Sequence, residues 1–159
     1  MEKKRSVGVT IFAWLLIIIN GFNLPHSFDF HTSFELHKSL NKGVIITIIS
    51  YTLLSAVIGF ISGIGILKLK EMMRRLAVAI NSLDIVFGIL VLFLSANDIR
   101  QYAHSVALAQ ATNKPTILSV DTLTNVGFYA AMSWYVFCIG LSLLLIFFFT
   151  RPKVKEQFK

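Results

Sequence analysis

The chain has a single cysteine, Cys138, set inside an apolar run. That excludes an intrachain disulfide framework and any Cys-x-x-Cys redox or zinc pair. A lone thiol in apolar surroundings reads as a packing residue, because such surroundings resist formation of the reactive thiolate. Charge is also scarce: 14% of residues are Asp, Glu, Lys or Arg, where a soluble domain carries about a quarter. Acidic residues are the scarcest part, 8 against 15 basic ones, leaving a net charge of +7. The basic residues form no aromatic-interleaved groove and no nucleic-acid motif, so nucleic acid is not among the partners the sequence supports.

What is present is apolar. The chain is 55% hydrophobic and 13% aromatic, with a mean hydropathy of +0.73. Four runs, 7–24, 44–67, 76–95 and 127–150, match a hydrocarbon core of about 30 Å at about 1.5 Å of helix per residue. The first has the charge-then-apolar order of a signal peptide, but no small-x-small cleavage site follows it, so it reads as an uncleaved span.

The turn 68–75, Lys-Leu-Lys-Glu-Met-Met-Arg-Arg, orients the set. Short loops rich in Lys and Arg stay cytoplasmic, so Lys68, Lys70, Arg74 and Arg75 place this turn inside, together with Arg151 and the basic tail 151–159. Eleven basic residues then lie inside and four lie in the outer loops 25–43 and 96–126, accounting for all 15. The expected fold is all-α: an integral membrane four-helix bundle forming one domain. Both termini are cytoplasmic, short helical segments occupy the two extracytoplasmic loops, and membrane lipid surrounds the whole.

Local signals fill in the loops. Asn20 and Gly21 are expected to end the first helix. Thr32 and Glu35 have the spacing of a capping box, and Asn41 with Gly43 is expected to close the short helix it opens. Residues 98–111 carry the stripe of an amphipathic helix that continues, or kinks away from, the third span. Asn113-Lys114-Pro115 breaks it, and Ser119, Asp121 or Thr122 caps the next helix.

Ser62-Gly63-Ile64-Gly65-Ile66-Leu67-Lys68-Leu69-Lys70, running into Arg74-Arg75-Leu76-Ala77, and the ending Arg151-Pro152-Lys153-Val154-Lys155-Glu156 together resemble small bacterial membrane proteins with four predicted spans. In those proteins a glycine-rich second helix meets a basic turn and the chain finishes in Arg-Pro-x-Val-Lys-Glu. The resemblance implies a bacterial inner-membrane location and carries no activity with it.

Two helix faces stand out. Ser55, Gly59 and Gly63 recur every four residues, and small residues at that spacing let helix backbones approach closely in lipid. On the third span Ala77, Asn81, Asp84 and Gly88 form a small or polar face that should point into the bundle. Asp84 lies near mid-membrane, where a carboxylate costs about 2.5 to 3.5 kcal/mol on insertion scales unless it is neutralised or partnered. It is therefore a candidate ion or proton site with Asn81. The bland account makes it packing glue, hydrogen-bonded to Asn81, Ser82 or a polar residue such as Ser50, Thr52, Ser55 or Ser133. All four histidines fall in the outer loops, and His26, His31 and His37 near Asp29 and Glu35 offer zinc- or copper-type ligands without a signature spacing.

The motifs of several membrane enzymes and exporters are missing. There is no Cys-x-x-Cys for quinone-linked thiol oxidation, no Gly-x-Ser-x-Gly for serine hydrolysis, and no acidic residue in the first span of the kind small multidrug exporters use. The second span also lacks the Arg, Asn and Glu signature of membrane glutathione transferases. The sequence favours a non-enzymatic accessory or scaffold subunit without cofactors, packing on itself or on another membrane protein. The alternative is a small ion- or proton-coupled transporter or channel using Asp84, and an enzyme acting on lipid or quinone ranks third.

Overall fold

A computed structural model describes residues 6–113 and 118–158. Among them lie four helices long and apolar enough to cross a membrane, with no strand. The chain is an all-α bundle.

Helix α1 (Val7–His26) starts at Ser6, whose hydroxyl accepts from the Val9 amide. It does not end at Asn20 and Gly21 as expected. The Asn20 side-chain amide donates to the Leu16 carbonyl one turn back, 2.8 Å away, a bond made without breaking the helix. The chain stays helical through Pro25. Helix α2 (Phe30–Leu36) is capped by Asp29, not by Thr32. One Asp29 oxygen takes the Thr32 amide at 3.1 Å and the other takes its hydroxyl at 2.7 Å, so Thr32 becomes the third residue of the helix. Asn41 likewise opens an element instead of closing one: its side chain accepts from the Gly43 amide at 2.8 Å and caps α3 (Lys42–Leu67).

Helix α3 stops in a Schellman turn. The Lys70 amide bonds back to Gly65 and the Leu69 amide to Ile66, at 3.1 and 2.9 Å. The left-handed position that this turn requires, usually glycine, is filled by Leu69 at φ 51°, whose side chain packs against the core. Helix α4 (Glu71–Asn113) follows at once. Its 43 residues make about 64 Å of helix, so the third span and the 98–111 segment are one unbroken rod. Helix α5 (Val120–Thr150) is capped by Ser119, which accepts from the Thr122 amide at 3.2 Å. A single turn, α6 (Pro152–Lys155), and a 3₁₀ turn over Glu156–Phe158 complete the chain.

Helix α1 packs along α3, α4 along α5, and the two hairpins join where α3 meets α4. The small-residue face of α3 is occupied by α1. A Cβ at Gly63 would stand 2.7 Å from Ile17 Cγ1 and 3.0 Å from the Ala13 carbonyl oxygen, and one at Gly59 would stand 2.5 Å from the Asn20 amide. Gly88 is in ordinary contact with Ile139 of α5, with no close backbone approach.

The best-packed core lies at the end where the chain starts, turns and finishes. Val9 and Ala13 of α1, Ile66 of α3, Ala77 of α4, and Leu145 and Phe149 of α5 form it with Val154 and Phe158 from the tail. The segment 151–158 is therefore part of the packed core as well as a basic end: Val154 and Phe158 are buried, and Gln157 accepts from the Ser6 amide at 2.9 Å. Ser6 and Phe158, the outermost described residues, and the 68–70 turn share this end of the bundle. The outer surface is apolar, with Ile11, Trp14 and Ile18 on α1 and Leu83, Val86 and Phe93 on α4 exposed at helical spacing.

Candidate functional site

At the terminal end, Phe12 of α1 closes against Phe148 and Phe149 of α5, ring centroids 4.3 and 6.3 Å apart. Beyond that contact α1 and α5 make no extended approach, while every other neighbouring pair of long helices is packed. The space left in the middle of the bundle is a cavity of about 540 Å³. It is lined by Leu16, Ile80 and Leu145, and reaches Ser33 of α2 and His37 just after it.

Asp84 lies in the wall of this cavity. The Tyr51 hydroxyl, from α3, donates to its Oδ1 at 2.8 Å, and Ser55, one turn along the same face, approaches the same carboxylate. The Tyr51 ring stacks on Phe87, centroids 3.9 Å apart, which holds the phenol in place. Asn81 sits one turn before Asp84, but its amide is spent on the Ala77 carbonyl at 2.7 Å. The remaining partners considered for Asp84 point elsewhere. Ser50 and Ser133 are exposed, Ser82 bonds Val78, and Thr52 bonds Ile49. Among the described residues the ion pairs join Glu71 to Arg74 and Arg75, and no cation is paired with Asp84. Asn20, Trp134, Tyr135 and Cys138 line the cavity from α1 and α5.

Tyr51 is the residue that sequence reasoning missed. The signal was present: it falls four before Ser55, on the same stripe as Gly59, and a tyrosine in that register presents its hydroxyl to whatever the stripe faces.

A second polar cluster sits at the loop end. The His37 Nδ1 and the Ser95 hydroxyl share a hydrogen bond of 2.6 Å, and both residues are buried. Asp98, also buried, accepts from the backbone amide and the hydroxyl of Ser39 at 2.9 and 2.7 Å. Burial lowers the His37 pKa from its ordinary value, and the nearby Asp98 charge opposes that shift. The cluster ties the segment after α2 to α4 at the last residue of the expected span, Ser95, and just beyond it at Asp98. Among the described residues no group of three or more His, Cys, Asp or Glu is placed to hold a metal. His37 is committed to Ser95, and the side chains of His26 and His31 lie outside the described residues.

At the terminal end the basic residues divide. Lys68, Lys70, Arg75 and Arg151 are exposed, with Arg151 lying over the Phe147 ring, 4.4 Å from its centroid. Arg74 is buried. It donates through Nε and Nη2 to both Glu71 oxygens, at 2.7 and 2.6 Å, and through Nη1 to the Phe149 carbonyl at 2.7 Å. Hydrogen bonds from Arg74 hold the Glu71 carboxyl well below the usual range, at about 2. Comparison of the chain with protein-family models, curated proteins and solved structures gives no match.

Proposed function

We propose that this is a multi-pass protein of a bacterial inner membrane with both termini cytoplasmic, and that its working part is an ion or proton site at Asp84 in a small transporter or channel. The apolar outer surface and the four long apolar helices support insertion. The gathering of Ser6, the 151–158 segment and the basic 68–75 turn at one end supports the orientation, since that end then carries most of the described Lys and Arg. The observation that carries the function is Asp84: a carboxylate midway along the third span, held by Tyr51, unpaired with any described cation, and lining a cavity instead of a sealed helix contact. Intramembrane carboxylates in such settings mark ion and proton pathways. A scaffold role through Ser55, Gly59 and Gly63 is less well supported, because α1 already covers Gly59 and Gly63.

The test is flux in liposomes. Purified full-length protein is reconstituted with a trapped pH dye, and a pH or sodium gradient is imposed. Wild type is expected to dissipate the gradient faster than empty vesicles, and Asp84→Asn to abolish the difference. Equal flux from the two proteins, or none from either, sinks the reading. Orientation is checked separately in Cys138→Ser cells, where His104→Cys is expected to label from outside and Lys70→Cys is not.

A further inference from the structure

The cavity is larger than a bare ion needs. Hard metal cations take six or more oxygen ligands or retain a water shell. Asp84 is the one carboxylate among the lining residues, whose other polar groups include hydroxyls and amides, His37 and the Cys138 thiol, and no group of three or more His, Cys, Asp or Glu placed to hold a metal occurs among the described residues. A volume of about 540 Å³ instead falls in the range of sites that enclose a small organic molecule, about 300 to 1,000 Å³. Its walls combine the Asp84 charge with Tyr51, Phe87, Trp134 and Tyr135. A carboxylate among aromatic rings is the chemistry that recognises a soft organic cation, by charge pairing together with attraction to ring faces. Both α1 and α5 line the cavity, and these two helices approach each other less than the other neighbouring long helices do.

We infer that the Asp84 cavity binds an amphiphilic organic cation, with Asp84 pairing its charge, the Tyr51, Phe87 and Tyr135 rings enclosing its apolar body, and Trp134, more than half exposed, at its margin. This rests on the reading of Asp84 as a cation site and names the class of cation.

The probe is tetraphenylphosphonium, compared with tetraphenylborate, which has nearly the same shape and the opposite charge. Trp14→Phe leaves Trp134, on the cavity wall, as the sole tryptophan. Each ion is titrated separately into this full-length protein in a non-ionic detergent while Trp134 fluorescence is followed. Saturable quenching by the phosphonium and none by the borate is expected. Asp84→Asn in the same background is expected to weaken phosphonium binding about tenfold or more, the size of one charge-assisted contact. The two-ion comparison does not depend on any Asp84 variant folding. Equal response to both ions, or phosphonium binding unchanged in Asp84→Asn, overturns the inference. Absence of phosphonium binding while Asp84-dependent flux persists overturns it and leaves the ion-site reading standing; absence of both removes the two together.

Discussion

Replacing Arg74 with methionine separates the structural work of the basic turn from the mere presence of its charge. Methionine keeps the apolar stem and removes every donor. Two of the lost bonds go to Glu71, whose side chain is 30% exposed and keeps Arg75 as a partner, so that part of the loss is below about 1 kcal/mol. The third is different. The Phe149 carbonyl belongs to the last turn of α5, where carbonyls have no partner within the helix, and Phe149 is 1% exposed. Leaving such an acceptor unpaired costs about 1 to 3 kcal/mol. Arg74→Met is therefore expected to destabilise the protein by about 1 to 4 kcal/mol in total. Arg75→Met, with a side chain 73% exposed and a single bond to Glu71, should cost under about 1 kcal/mol. Arg74→Lys should fall between, since one ammonium cannot reproduce a fork that reaches both Glu71 and Phe149. The measurement is unfolding of purified variants in dodecyl maltoside by added denaturing detergent, read by tryptophan fluorescence. Equal losses for Arg74→Met and Arg75→Met would refute the reasoning, because the sequence alone treats the two as equivalent.

Three further outcomes are expected in the same assay. Gly63→Ala should cost about 1 to 3 kcal/mol, because its Cβ meets Ile17 and the Ala13 backbone. Gly140→Ala, with nothing within 4 Å, should be neutral or gain up to about 1 kcal/mol from helix propensity; a shared sign would show that α1 does not seat on α3 as described. Phe158→Ala should cost about 3 kcal/mol by emptying a core position, and a negligible loss would mean the tail does not pack. For His37 the folded state favours the neutral ring. Its contribution is complete above the unfolded pKa of 6.5 and is lost as pH falls below that value. Wild-type stability should therefore decline from about pH 7 to pH 5, with a shallower decline in His37→Gln; identical profiles would exclude His37 as the cause.

Local features that misled the reading did so because capping residues are ambiguous in one dimension. Asn41 can close one helix or open the next, and only the path of the chain decides. Thr32 lost the cap to Asp29 because a carboxylate has two oxygens and takes the amide and the hydroxyl together. Leu69 left no signal at all: a Schellman turn normally advertises its left-handed residue as glycine, and here core packing of the leucine side chain accompanies a strain of about 1 to 2 kcal/mol. Asp84 was visible because a lone acid in an apolar run is costly wherever it points. Its partner Tyr51 carried only a register signal, four residues before Ser55, and that register does not name the partner until a second helix brings a carboxylate within 2.8 Å.

By itself the sequence determined the class of molecule. Apolar run length, the scarcity of charge and the small-residue spacing are properties of single helices, and each can be read without knowing a neighbour. Only the tertiary structure decided how those helices use their polar groups: that Gly59 and Gly63 are filled by α1, that Arg74 and not Arg75 is buried, that His37 locks to Ser95, and that Asp84 opens onto a cavity. These are pairings between residues 33 to 75 positions apart, and the free energy of a buried polar group is set by the partner it meets.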